Sequence, residues 1–75
     1  MKMHLKLTDI QVGDAFLDKH DGEVIRIDKV VNNTIYCTRI TDFPLCDKTH
    51  NYNLDFLNKY YDKKLTEDEY LAYLI

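Results

Sequence analysis

Proline occurs once in this chain, and glycine and cysteine twice each, and these scarcities remove whole classes of function. With only Gly13 and Gly22 there is no glycine-rich loop whose backbone amides could converge on a phosphate. Cys37 and Cys46 fall short of the four or more cysteines that staple small secreted domains, so both are read as reduced thiols and the chain as cytoplasmic. No apolar run approaches the ~20 residues of a membrane span. The opening MKMHLKLTDI lacks the apolar stretch of a signal peptide, so no membrane partner is expected. A large charge of one sign is missing too. The 10 basic and 13 acidic residues leave a net −3, the wrong sign for a general nucleic-acid binder and too small for a polyanion mimic.

What is present suffices for one folded domain over residues 1–75. Hydrophobic residues make up 45% and charged residues 31% of the 75, proportions that argue against disorder. The densest β signal runs from Ala15 to Thr41. Ahead of it, Met3, Leu5 and Leu7 alternate with polar residues and predict a first, half-buried strand. Val12-Gly13-Asp14 predicts a turn in which Gly13 is free to take a positive φ. A strand from Ala15 to Lys19 follows, then a hairpin at Asp21-Gly22.

EVIRIDKVV and TIYCTRIT flank Asn32-Asn33, a pair suited to a two-residue type I′ turn; the sequon Asn32-Asn33-Thr34 is read as the same turn chemistry. Counting outward from that turn places Val31 opposite Thr34, Asp28 opposite Cys37, Arg26 opposite Arg39 and Ile25 opposite Ile40. The same count gives Ile25, Ile27, Val31, Tyr36 and Ile40 to the core face. Asp42-Phe43-Pro44 is expected to end the strand, with irregular chain from Leu45 to Asn51.

The meander thus occupies residues 1–47 and a helical segment 53–75. Asn53 caps a predicted helix from Leu54 to about Tyr61, with Leu54, Leu57 and Tyr61 on one face and Phe56 and Tyr60 on another. Apolar residues on two faces suggest burial on both. Thr66 and Glu69 have the spacing of a capping box that starts a last helix, Glu67 to about Leu74, expected to offer Tyr70, Leu71 and Leu74 to the body. The fold class is α+β: a small, bent antiparallel meander of four or five strands followed by two short helices.

Val12-Gly13-Asp14-Ala15-Phe16, with a short hairpin at Asp21-Gly22 and a longer one at Asn32-Asn33, resembles the opening of SH3-like small barrels over about residues 5–41. The Tyr-, Asn- and Lys-rich composition, the small size and the short C-terminal helices resemble accessory proteins of phages and mobile elements of low-GC bacteria. The resemblance implies a five-stranded barrel and binding of a host protein rather than catalysis.

The residues themselves point the same way. Cys37, Cys46 and His50 lack the close pairs of a structural zinc site, and neither a metal nor another cofactor is expected. Cys46 lies near Asp47 and His50, but a carboxylate raises a thiol's pKa and no oxyanion donors accompany it, so no enzymatic activity is expected. Like charges facing one another across a strand pair invite an anion, which makes Arg26 and Arg39 candidate partner contacts. Tyr60, Tyr61, Tyr70 and Tyr73 crowd two short helices and are candidates because tyrosine is enriched at interface centres. The expected function is a non-catalytic protein-binding module that inhibits or redirects a host protein. The alternative is a nucleic-acid-binding small barrel stacking bases on Tyr36 or Phe43. Self-association as a homodimer through a strand edge or the helices is compatible with either.

Overall fold

The computed structural model describes residues 3–41 and 49–74. Five antiparallel strands form one sheet: β1 (Ala15–Asp18), β2 (Glu23–Val31), β3 (Thr34–Arg39), β4 (His50–Asn53) and β5 (Lys63–Lys64), in the order β4-β3-β2-β1-β5. Helix α1 (Leu54–Tyr60) lies between β4 and β5, and α2 (Glu67–Tyr73) follows β5. The fold is α+β, but the edge strands β4 and β5 do not pair, so the sheet is open rather than the closed SH3-like barrel expected. The reason is local. Closure needs a staggered edge ladder, and β5 offers only two residues while α1 occupies the face between the edges.

The predicted first strand is also corrected. Met3, Leu5 and Leu7 do turn inward against the core, as their alternation implies, but the segment carries no ladder and ends in a 3-10 turn at Leu7–Asp9. Its backbone is held by a side chain instead: Asn58 of α1 accepts from the Leu5 N–H at 2.8 Å and donates to the Leu5 carbonyl at 3.0 Å. Gly13 adopts φ +94°, and its N–H donates to the Ile27 carbonyl at 2.8 Å. That conformation is nearly free only for glycine.

The β2–β3 hairpin has the expected two-residue loop, with Val31 opposite Thr34. Among the described non-glycine residues Asn32 alone has a positive φ, at +55°, so the loop is not the type I′ turn, which needs two such residues in succession. Beyond Lys29 opposite Tyr36 the register slips at Asp28, and Ile27 then pairs with Cys37, Arg26 with Thr38 and Ile25 with Arg39. One extra residue in β2 is a bulge, and it reassigns faces. Ile35 and Cys37 join Ile25 and Ile27 in the core, Tyr36 goes to the other side with Lys29, and Val31 is exposed. Asp28 is held by Thr38 Oγ1, which donates at 2.6 Å, and by Arg26 Nε and Nη2, each at 3.2 Å.

The sheet is covered on both faces. On one, Phe16, Ile25, Ile27, Ile35 and Cys37 pack under Leu57 and Tyr61, with Ile10 beside them. Full burial of each large aliphatic or aromatic side chain contributes about 1.5–3 kcal/mol, so this cluster dominates the stability. On the other, Ala15, Val24 and Leu65 form a smaller cluster completed by Leu17, Ile40 and Tyr70. The helices start as the sequence predicts. Asn53 accepts from the Phe56 N–H at 2.8 Å, and the Thr66–Glu69 capping box closes in both directions, at 3.2 and 3.0 Å. The predicted strand end at Phe43-Pro44 and the loop with Cys46 lie outside the described residues. Of the stretch expected to be irregular, His50 and Asn51 belong to β4.

Candidate functional site

The two candidate arginines do not meet. The slip at Asp28 puts Arg26 on the α2 face and Arg39 on the α1 face, so the facing pair is overturned. Arg26 is bound to Asp28, and the Tyr70 hydroxyl holds its guanidinium pKa above the ordinary value, with Asp28 adding to the effect and burial opposing it. Arg39 Nε sits 3.4 Å from Glu23 Oε2, and its Nη2 donates to the Tyr52 hydroxyl at 3.5 Å.

The tyrosines separate as well. Tyr61 is only 2% exposed, and burial, reinforced by Tyr52, pushes its hydroxyl pKa far upward. Its ring is core, which removes it as a direct contact. Tyr60 is exposed at the end of a run of rings: Tyr52 stacks on Phe56 at 4.4 Å, Phe56 meets Tyr60 at 4.5 Å, and Lys59 Nζ lies 5.3 Å above the Tyr60 ring. The second face of α1 is therefore not buried as expected. Tyr70 is half-buried against the smaller cluster, and Tyr73 is exposed.

The most open apolar surface surrounds α2. Tyr70 packs on the smaller cluster, but Leu71 and Leu74 are not drawn into the body as the sequence suggests. They are 48% and 53% exposed, and Val12, on the turn before β1, is 69% exposed. Between helix and turn runs an open groove of about 370 Å³, its apolar lining made by Val12, Ala15, Leu65, Tyr70 and Leu71. A second groove of about 310 Å³ lies against Leu17, Leu65, Ala72 and Tyr73.

The helix is pinned at its start. The Leu65 N–H donates to the Ala15 carbonyl at 2.9 Å, and Lys63 forms an ion pair with Glu69. Together with the capping-box bond from the Thr66 amide, that pair draws the Glu69 carboxyl down to a pKa of about 2. The sequence marks Val12 as part of a turn and Leu74 as a residue packed on the body, because nothing in a short apolar helix says how much surface lies beneath it. Elsewhere, Cys37 is buried with its thiol directed at the His50 carbonyl, 3.6 Å away, and burial pushes its pKa up to about 12, far from a reactive thiolate. Among the described residues no three His, Cys, Asp or Glu side chains cluster as metal ligands, and no helix is long and apolar enough to cross a membrane. In comparisons with known proteins, the chain matches no family model, no curated protein and no solved structure.

Proposed function

We propose that this chain is a non-catalytic protein-binding module that presents α2 and the Val12 turn to a protein partner. The observation that carries the reading is an open groove flanked by the exposed Val12 and Leu71, with Leu74 exposed at the end of the same helix, which a capping box and an ion pair fix at its start. Exposed apolar side chains beside a groove are what association covers, and a pinned helix limits the entropy lost on docking. The resemblance to accessory proteins of phages and mobile elements makes a host protein, inhibited or redirected, the expected target. A photo-crosslinking residue at position 71 should give one discrete protein adduct in a host lysate, and the same residue at position 55, on α1, should give none. Val12→Asp should remove the adduct without lowering the thermal midpoint. Adducts from 55 alone, or an adduct indifferent to Val12→Asp, would overturn the reading.

The stacked rings of Tyr52, Phe56 and Tyr60 beneath Lys59 favour a second reading, single-stranded nucleic acid laid on α1. Arg26 is on the far face and Arg39 is paired with Glu23, which leaves this platform little basic support. Binding of this kind falls steeply with salt and is lost on Phe56→Ala, whereas docking on α2 is indifferent to that substitution.

A further inference from the structure

We infer that the partner segment seated along α2 is cationic and amphipathic, inserting aliphatic side chains beside Val12 and Leu71 and setting Lys or Arg against Glu67 and Asp68. The inference rests on the proposal that α2 and the Val12 turn are the docking face, and adds the chemistry of what docks there. Its basis is the sign of the charge around the apolar surface. The charged side chains lining the first groove are Asp14 and Glu67, and the one lining the second is Glu69; all are carboxylates. Two of them are already matched, Asp14 by Lys64 at 3.3 Å and Glu69 by Lys63.

Glu67 and Asp68 are exposed and form no ion pair among the described residues. The dipole at a helix N-terminus amounts to about half an elementary charge, so it cannot balance both. A net negative rim is left beside exposed leucines. That combination selects among occupants. A second copy docked by two-fold symmetry with antiparallel helices sets a last turn that has no basic residue against the acidic first turn of its mate, and the nearby Arg26, Lys63 and Lys64 are already paired. Phosphate backbones and anionic headgroups are repelled. A protein segment alternating aliphatic and basic side chains satisfies both the groove and its rim.

The test is a titration of the isotope-labelled full chain with three synthetic peptides, followed by amide shifts. Two are amphipathic helices of identical leucine spacing, one with lysine and one with glutamate at the polar positions; the third keeps the lysines and replaces the leucines by serine. The leucine-lysine peptide should move the amides of residues 12–15 and 65–74. Glu67→Gln with Asp68→Asn should weaken it roughly fivefold at low salt, and Leu71→Asp or Val12→Asp should abolish binding with the remaining spectrum unchanged. Equal binding of the leucine-glutamate peptide at those amides would overturn the cationic assignment while leaving the docking face intact. Equal binding of the serine-lysine peptide would overturn the amphipathic one. Shifts confined to β4 and α1 would overturn the inference, and the crosslink at position 71 then decides separately whether α2 docks anything.

Discussion

The side-chain amide of Asn58 holds the backbone of Leu5 at both its N–H and its carbonyl, 53 residues away in sequence, as a neighbouring strand would. This one residue attaches the N-terminal segment to α1 and so keeps Met3, Leu5 and Leu7 over the core. Asn58→Ala should cost about 1–2 kcal/mol, because two part-buried backbone groups lose their partners at once. Asn58→Asp should be at least as damaging, since it sets a carboxylate against a carbonyl. Denaturant melts give the loss, and hydrogen exchange at the Leu5 amide shows whether the segment has come away; an unchanged exchange rate in Asn58→Ala would contradict the attachment.

Asn32 holds a positive φ in the β2–β3 loop, a conformation that costs ordinary residues roughly 1–2 kcal/mol. Asn32→Ala should therefore destabilise by about 1 kcal/mol, and Asn32→Gly should be neutral or slightly stabilising. The difference in urea midpoint between these two variants isolates the backbone effect, since neither retains the side-chain amide.

Cys37 gives a pH dependence with a definite sign. Its thiol ionises at 9.0 in an ordinary environment and at about 12 in the folded chain. The unfolded state therefore loses the proton first, and the stability present below pH 9 is lost progressively between pH 9 and 12, by at most about 1.4 kcal/mol per pH unit. The raised Tyr61 hydroxyl acts in the same direction from its ordinary value of 10.0 upward, so it adds to the decline in the upper part of that range. Cys37→Ala should be less stable at pH 8 yet show a shallower decline above pH 9, as read from urea midpoints across that range. An equal slope would mean that the thiol does not titrate with unfolding.

At the acid end, Glu69 works in the opposite sense. Its folded pKa of about 2 lies below the ordinary 4.5, so its contribution is complete above pH 4.5 and disappears as pH falls toward 2. Lys63 and Glu69 are 43% and 35% exposed, so the stability at stake is modest; the local structure is the better readout. The amide shifts of Thr66 and Glu69 should titrate together with a midpoint near 2, and Lys63→Met should raise that midpoint toward 4.5.

Local chemistry was legible in the sequence wherever a few neighbouring residues decide the outcome. The Asn53 cap, the Thr66–Glu69 box, the Gly13 turn and the two-residue loop at Asn32-Asn33 all appear where those residues predict them. The register beyond Lys29 was not legible, because an extra residue at Asp28 leaves the hydrophobic pattern of β2 acceptable in either phase. That single slip moved Arg39 to the opposite face from Arg26 and exchanged Tyr36 for Cys37 in the core. The strands β4 and β5 were missed because HNYN and KK carry no apolar alternation; their pairing comes from the neighbours they reach. Of the candidate contacts, Tyr70 and Tyr73 lie on the α2 surface, Tyr60 lies on another, and Tyr61 is enclosed.

The path from β4 across to β5 has a kinetic meaning. β1, β2 and β3 pair with their neighbours in sequence and enclose short loops, so they can assemble early, whereas β5 must find β1 across more than 40 residues of chain, as Phe16 opposite Lys64 shows. The segment carrying α1 and β5 should then close last, as a strap laid over a hairpin stack that is already paired. Lifting it would uncover Phe16 and Ile25, which pack under Leu57 and Tyr61. Slow amide exchange should therefore persist longest in β2 and β3, with β5 released first, and cleavage within the strap should track how often it opens.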